Sequence, residues 1–117
     1  GSGASKSSTK AGSLGYTAAK HGLVGFTRQL AHASAPYGIT VNCVCPGWTN
    51  TSLIDWDAIA KRRQVTVEEA QQVAFDANAQ RRILEPEELT PMISLLVGDG
   101  GMGITGQVIS VDGGYGL

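Results

Sequence analysis

Residues 39–47 read ITVNCVCPG, a short β-branched run closed by Pro46-Gly47. A run of this kind, bounded by turn residues, predicts a buried strand. Within it Cys43 and Cys45 alternate, so both thiols share one face of the strand. Two cysteines are too few for a metal cage and too close for an easy disulfide, and the reading is buried strand thiols.

Upstream, Tyr16, Ala19, Leu23, Phe26, Leu30 and Ala33 recur at spacings of three and four. They predict a helix from Tyr16 to about Ser34, and Val24 and Ala31 widen its stripe enough to bury two sides. Pro36 and Gly38 stop it. The opening GSGASKSSTKAGSLG is small, polar and aperiodic, which predicts a loop over residues 1–15.

Downstream, two polar-apolar patterns predict helices over about Leu53–Arg62 and Val67–Gln80. Thr66 with Glu69 forms a capping box for the second. Residues 48–83 thus make a mobile cover. Pro86, Glu87 and Glu88 suit a helix start, and the pattern runs on to Val97 with a bend at Pro91. A second buried strand follows in QVISVDGGY, with Val108, Ile109 and Val111.

Strands separated by helices argue for an α/β unit with a parallel sheet and right-handed crossovers. Two strands are too few for an independent sheet. The glycines of GDGGMG contain Gly98-x-Gly100-x-x-Gly103 and an overlapping Gly101-x-Gly103-x-x-Gly106. A dinucleotide fingerprint joins a strand to a helix, whereas these glycines follow a helix and precede a strand, so they read as a flexible connection.

The chain has 117 residues, 42% hydrophobic and 16% charged, the composition of one globular unit. Nine basic and ten acidic residues are scattered without a stripe, which argues against a nucleic-acid or anionic-membrane partner. No apolar run approaches the about 20 residues of a spanning helix, and residues 1–15 lack the layout of a signal peptide, so a cytoplasmic location is expected.

The chemistry centres on GYTAAKHG, residues 15–22. On a helix Tyr16 and Lys20 stack at i and i+4, while His21 points away. Ionising a phenol of pKa near 10 at neutral pH requires a shift of about three units, or roughly 4 kcal/mol. One ammonium at about 4 Å supplies that order of energy at an effective dielectric of about 20, and only about 1 kcal/mol in bulk-like water. The pair therefore works only in a sheltered cleft; in the open it is an aromatic and a solvated lysine.

Three stretches, GYTAAKHGLVGFTRQLA, GITVNCVCPGWTNT and RRILEPEELTPMISLLVGDGGMGITGQVISVDGGY, occur in the order and with the separations of the short-chain dehydrogenase/reductase family, which the chain resembles over almost its whole length. The flavour is that of 3-hydroxybutyrate and 3-hydroxyacyl dehydrogenases. The resemblance implies the C-terminal half of a doubly wound, Rossmann-like fold, so that residues 1–117 form a single partial domain. It also implies NAD or NADP as cofactor and a small alcohol or ketone as substrate.

By the same resemblance Tyr16 is the general acid/base, and Lys20 holds the nicotinamide ribose and lowers the tyrosine pKa. Pro46, Gly47 and Thr51 line the nicotinamide pocket. Ser2 is the catalytic serine by position, with Ser5 as the alternative. Trp48, beside Pro46-Gly47, is the candidate substrate contact, whereas Trp56 and Phe75 serve the packing of the cover. No metal is implied. The family's N-terminal phosphate loop has no counterpart here, so a homo-oligomer or a complementing N-terminal half is expected as partner. A poorly active chain is expected without one. The other reading is a non-catalytic module that associates through its helices.

Overall fold

The structure is a computed structural model that describes residues 10–117, with side chains from residue 17 onward. Helix α1 spans Lys10–Ser34, strand β1 Cys43–Pro46, helix α2 Trp56–Arg63, helix α3 Val67–Asp76, helix α4 Thr90–Val97 and strand β2 Val108–Val111. β1 and β2 pair in parallel, Cys43 opposite Val108 and Pro46 opposite Val111. The crossover between them carries α2, α3 and α4, so the chain is the α/β unit expected.

Side chains fix the register. The Val41 N–H donates to Thr105 Oγ1 at 3.0 Å, and the Gly106 N–H to the Val41 carbonyl at 2.8 Å. Asn42 uses both ends of its amide: Nδ2 donates to the Ile104 carbonyl at 2.8 Å and Oδ1 accepts from the Gln107 N–H at 3.1 Å. The loop before β2 is therefore stitched to the entry of β1 before the ladder begins.

α1 is already helical at Lys10, the first described residue and six residues before its periodicity indicated, so the expected loop over 1–15 is corrected for residues 10–15. No proline interrupts residues 10–15, and extending a formed helix costs far less than nucleating one. It stops at a 3₁₀ turn, Ala35–Tyr37, closed by Gly38 at φ 72°. The expected burial of two sides is also corrected. Among the described residues of α1 only Thr27 and Ala31 are buried, and Phe26 is 65% exposed. A Cβ on Gly106 would stand 3.5 Å from the Ala31 Cβ, which marks where the helix meets the sheet.

The segment after Glu85 departs from a single bent helix. Pro86–Glu88 is a 3₁₀ turn and α4 begins afresh at Thr90. Pro91 lies in the first turn of α4, where its missing N–H costs nothing, so it starts a helix rather than bending one. GDGGMG contains a 3₁₀ turn, Asp99–Gly101, between α4 and β2, in the helix-to-strand context that sequence assigned it.

The cover is two short helices packed through the buried Ala60, Ala70 and Ala74. Asp55 caps α2 by accepting from the Ala58 N–H at 3.0 Å, and Thr66 with Glu69 forms the expected capping box on α3. α3 ends at Asp76 and not Gln80 because the next residues hydrogen-bond the C-terminal turn. The Ala79 N–H donates to the Gly114 carbonyl at 3.0 Å, and the Gly116 N–H to the Ala77 carbonyl at 3.0 Å. At its other edge the Leu84 N–H donates to the Trp48 carbonyl at 3.1 Å. Both ends of the cover are thus anchored.

The accessible surface is 7675 Å² for a mass of 12.2 kDa, against about 6,100 Å² for a compact monomer of that mass. The radius of gyration is 16.3 Å, where about 13 Å is usual for this length. Ile39, Ile93, Val97 and Met102 are exposed as well as Phe26 and Leu30. Apolar side chains thus outnumber the places this chain offers to bury them.

Arg82 grips Glu88 with two hydrogen bonds of 2.8 and 2.9 Å, and Glu88 also accepts from the Glu85 N–H at 2.7 Å. The guanidinium first, and the backbone N–H second, hold the Glu88 carboxyl down to about 2 from an ordinary 4.5. A depressed carboxylate stabilises the fold fully above its unfolded value and loses that contribution as pH falls through its folded value. Acid titration of unfolding should therefore show a decline between about pH 4.5 and about pH 2, and Glu88→Gln should flatten it. An unchanged acid limb in the variant would assign the decline to other groups.

Candidate active site

In open parallel sheets ligands bind beyond the carboxyl ends of the strands. β1 ends in Pro46, followed by the buried Gly47; β2 ends in Val111, followed by Asp112. A Cβ on Gly47 would stand 2.8 Å from the Asp112 Cβ, so glycine is required for the two strand exits to touch. Asp112 Oδ1 accepts from the Gly114 N–H at 2.9 Å and the Tyr115 N–H at 3.2 Å. Its carboxylate builds the terminal turn.

Trp48 stacks on Trp56, with ring centroids 5.7 Å apart and planes inclined by 18°. Such a pair contributes about 0.5–1.5 kcal/mol beyond the area it buries. It joins the exit of β1 to the first turn of α2, so the cover is held to the strand end by an aromatic clamp. Trp56 thus packs as expected, and one face of Trp48 is occupied by it. Thr51 is half-buried, and its Oγ1 accepts from the Leu53 N–H at 3.3 Å, within the turn that leads to α2.

Lys20 is half-buried on α1 and acts on the Cys45 thiol, next to Pro46, by hydrogen bonding and by charge. Tyr16 belongs to the same helix one turn earlier, with its side chain outside the described residues. Ser2 and Ser5 lie outside the described residues altogether. His21 is exposed and its Nδ1 bonds the Thr17 carbonyl at 2.8 Å, away from this cluster as expected. Pro46, Gly47 and Trp48 therefore form the exit of β1 and Lys20 reaches its Cys45 from α1, while Thr51 lies in the turn beyond and Phe75 stays in the cover. Among the described residues no group of three acidic, histidine or cysteine side chains is placed to hold a metal ion.

That Cys45 partners Lys20 was not readable from the residues alone. The only available signal was alternation, which puts the Cys43 and Cys45 side chains on one face without saying what opposes them. Cys45 is buried and Cys43 half-buried, and their sulfurs are 3.8 Å apart. Burial pushes the Cys43 thiol up, helped by its neighbour. Burial also pushes Cys45 up, but the Lys20 ammonium and the hydrogen bond from Cys43 help bring it below its ordinary value.

A family model described as enoyl-(acyl carrier protein) reductase matches residues 2–116. The chain belongs to the short-chain dehydrogenase/reductase family. Among relatives of this family, the uncharacterized oxidoreductase YxjF of Bacillus subtilis is 38% identical over 108 residues, which cover 90% of this chain and 42% of that protein. D-β-hydroxybutyrate dehydrogenase of Cupriavidus necator is 33% identical over 103 residues, covering 86% of this chain and 40% of the relative. A solved variant of actinorhodin polyketide ketoreductase with NADPH superimposes with a TM-score of 0.77 at 35% identity, over 98% of this chain and 44% of the other. This short-chain dehydrogenase/reductase chain therefore spans less than half the length of these relatives, and its fold is the corresponding part of a Rossmann-like sheet.

The Lys20 contact is open to direct measurement. An ammonium favours the thiolate, so its removal raises the thiol pKa. In a Cys43→Ala background, the pH profile of Cys45 alkylation should move to higher pH when Lys20 is replaced by Met. Superimposable profiles would show that the ammonium does not act on this sulfur.

Proposed function

We propose that the chain is the catalytic and substrate-facing part of an NAD(P)-dependent oxidoreductase that interconverts a secondary alcohol and a ketone. The observation that carries this reading is the position of Lys20, half-buried beside the carboxyl end of β1 and one helical turn from Tyr16. The names of the relatives point the same way, toward ketoreduction with NADPH in one and hydroxybutyrate oxidation in another.

The donors at the strand exit suit the nicotinamide end of such a cofactor: an ammonium for ribose hydroxyls from Lys20, and a close-packed backbone at Pro46-Gly47 with Thr51 beyond it. When bound, the cofactor supplies or accepts the hydride. Tyr16 gives a proton to the ketone oxygen, or takes one from the alcohol, through its phenolic oxygen. Lys20 biases that phenol toward ionisation, and a serine, Ser2 or Ser5, donates a hydrogen bond to the same oxygen. The Trp48–Trp56 clamp holds the cover over the reacting carbon and helps to exclude water.

The substrate we favour is neutral near the reacting carbon: an uncharged alcohol or ketone, or a thioester. An ungapped alignment of the cover with hydroxybutyrate dehydrogenases puts Trp56 and Asp57 where those enzymes tend to place a lysine and a glutamine that grip the substrate carboxylate. Trp56 is committed to stacking, and Asp57 would repel a carboxylate.

Fusion behind the N-terminal nucleotide-binding segment of a family member tests the reading. The fusion should oxidise or reduce a neutral substrate with NAD(H) or NADP(H), and Tyr16→Phe should lower kcat by about 10²–10⁴-fold with folding intact. Near-normal turnover in that variant would remove Tyr16 from the mechanism. By titration calorimetry the 117-residue chain alone should bind NADH and NADPH weakly.

The partner we propose is a second copy, or a complementing N-terminal half. Support comes from the exposed Phe26 and Leu30 on α1, and from a groove of about 510 Å³ beside β1 lined by Ile39, Val44, Ile93 and Val97. Sedimentation of the chain at high micromolar concentration should show self-association. A well-folded monomer would refute it.

A further inference from the structure

Cys43 and Cys45 are left unused by the mechanism above, and their geometry is specific. They project from one face of β1 with their sulfurs 3.8 Å apart, Cys43 half-buried and Cys45 covered, and neither is in a disulfide. A disulfide would require the sulfurs to close to about 2.05 Å, a movement of about 1.8 Å. Strand residues two apart also sit about 6.6 Å from each other along the chain, near the outer limit for Cα atoms joined by a disulfide.

A soft centre between the sulfurs needs far less movement. Two bonds of about 2.3 Å meeting at the roughly 95–100° of a pyramidal trivalent centre span about 3.4–3.5 Å, so the sulfurs at 3.8 Å need to close by only about 0.3–0.4 Å. Soft centres select thiolates over oxygen and nitrogen donors. No third cysteine, histidine or carboxylate among the described residues converges on the pair, which disfavours ions that require four protein ligands and favours a centre satisfied by two sulfurs.

We propose that Cys43 and Cys45 form a dithiol site for a trivalent arsenical, which they bind through both sulfurs. With an aryl arsenic(III) oxide, the arsenic–oxygen bonds break and two arsenic–sulfur bonds form. The two thiol protons leave with the oxide oxygen as one water. Arsenic stays trivalent and no electron is transferred. The reagent enters past Cys43, which reaches solvent, and the second sulfur closes the chelate. The proposal is independent of the oxidoreductase reading, since it requires neither cofactor nor substrate.

Phenylarsine oxide is the probe, with the intact chain as target. Mass spectrometry should find one phenylarsenic group per chain, displaced by a dithiol such as dimercaptopropanol and resistant to millimolar monothiol. Either Cys43→Ala or Cys45→Ala should cut retention against monothiol at least tenfold. A flexible Cys-x-Cys peptide could also bind the reagent, so the native site is distinguished by thermal unfolding. Binding to the folded chain raises the midpoint, whereas binding mainly to the unfolded chain lowers it. A raised midpoint is expected for the wild-type chain, which keeps the test valid should a variant fail to fold. A lowered midpoint, loss of the adduct to monothiol, or full retention by either single variant would overturn the proposal.

Discussion

The contact on which the remaining structure depends is the close approach of the two strand exits, Gly47 against Asp112. It is possible only because position 47 carries no Cβ. Upstream of it, Asn42 and Thr105 set the register by bonding main-chain groups across the gap between β1 and the loop before β2. Downstream, Asp112 turns the chain back so that residues 113–116 reach the base of the cover. The cover, the tryptophan clamp and the position of Lys20 relative to β1 are all measured from this pair of exits.

A parallel pair of four-residue strands is a small foundation, and the exposed apolar surface shows its cost. Phe26 and Leu30 on α1, and Ile93 and Val97 on α4, are hydrophobic at helical spacing, as if each helix had a second layer to meet. Sequence periodicity reports which side chains are apolar. It does not report whether the element that would cover them is in the same chain. That is why the expectation of two buried sides on α1 failed while the helix itself was legible.

The strands, their parallel order, the capping box at Thr66 and the reversed context of the glycines were all readable, because each rests on local rules of period and turn chemistry. The boundaries that moved did so for tertiary reasons. α3 is cut short because residues 77–80 pair with the C-terminal turn, and α4 restarts at Thr90 because Pro91 is best tolerated in a first turn. At the site, Pro46, Gly47 and Trp48 form the exit of β1 and Lys20 reaches Cys45 beside it from α1. The Lys20–Cys45 contact and the Trp48–Trp56 stack were not legible, since both join segments separated by chain whose path only the fold defines.

The backbone pairing of residues 77–80 with 113–116 has a practical side. Gly114, at φ 82°, lies so close to Ala79 that a Cβ there would stand 2.7 Å from the Ala79 Cβ. This turn is therefore a latch on the base of the two-helix cover, although it lies far from the cover in sequence. Any appendage joined after Leu117 pulls on that latch. An affinity tag or fusion partner at this end acts mechanically on the cover, so a flexible spacer is part of a sound expression strategy.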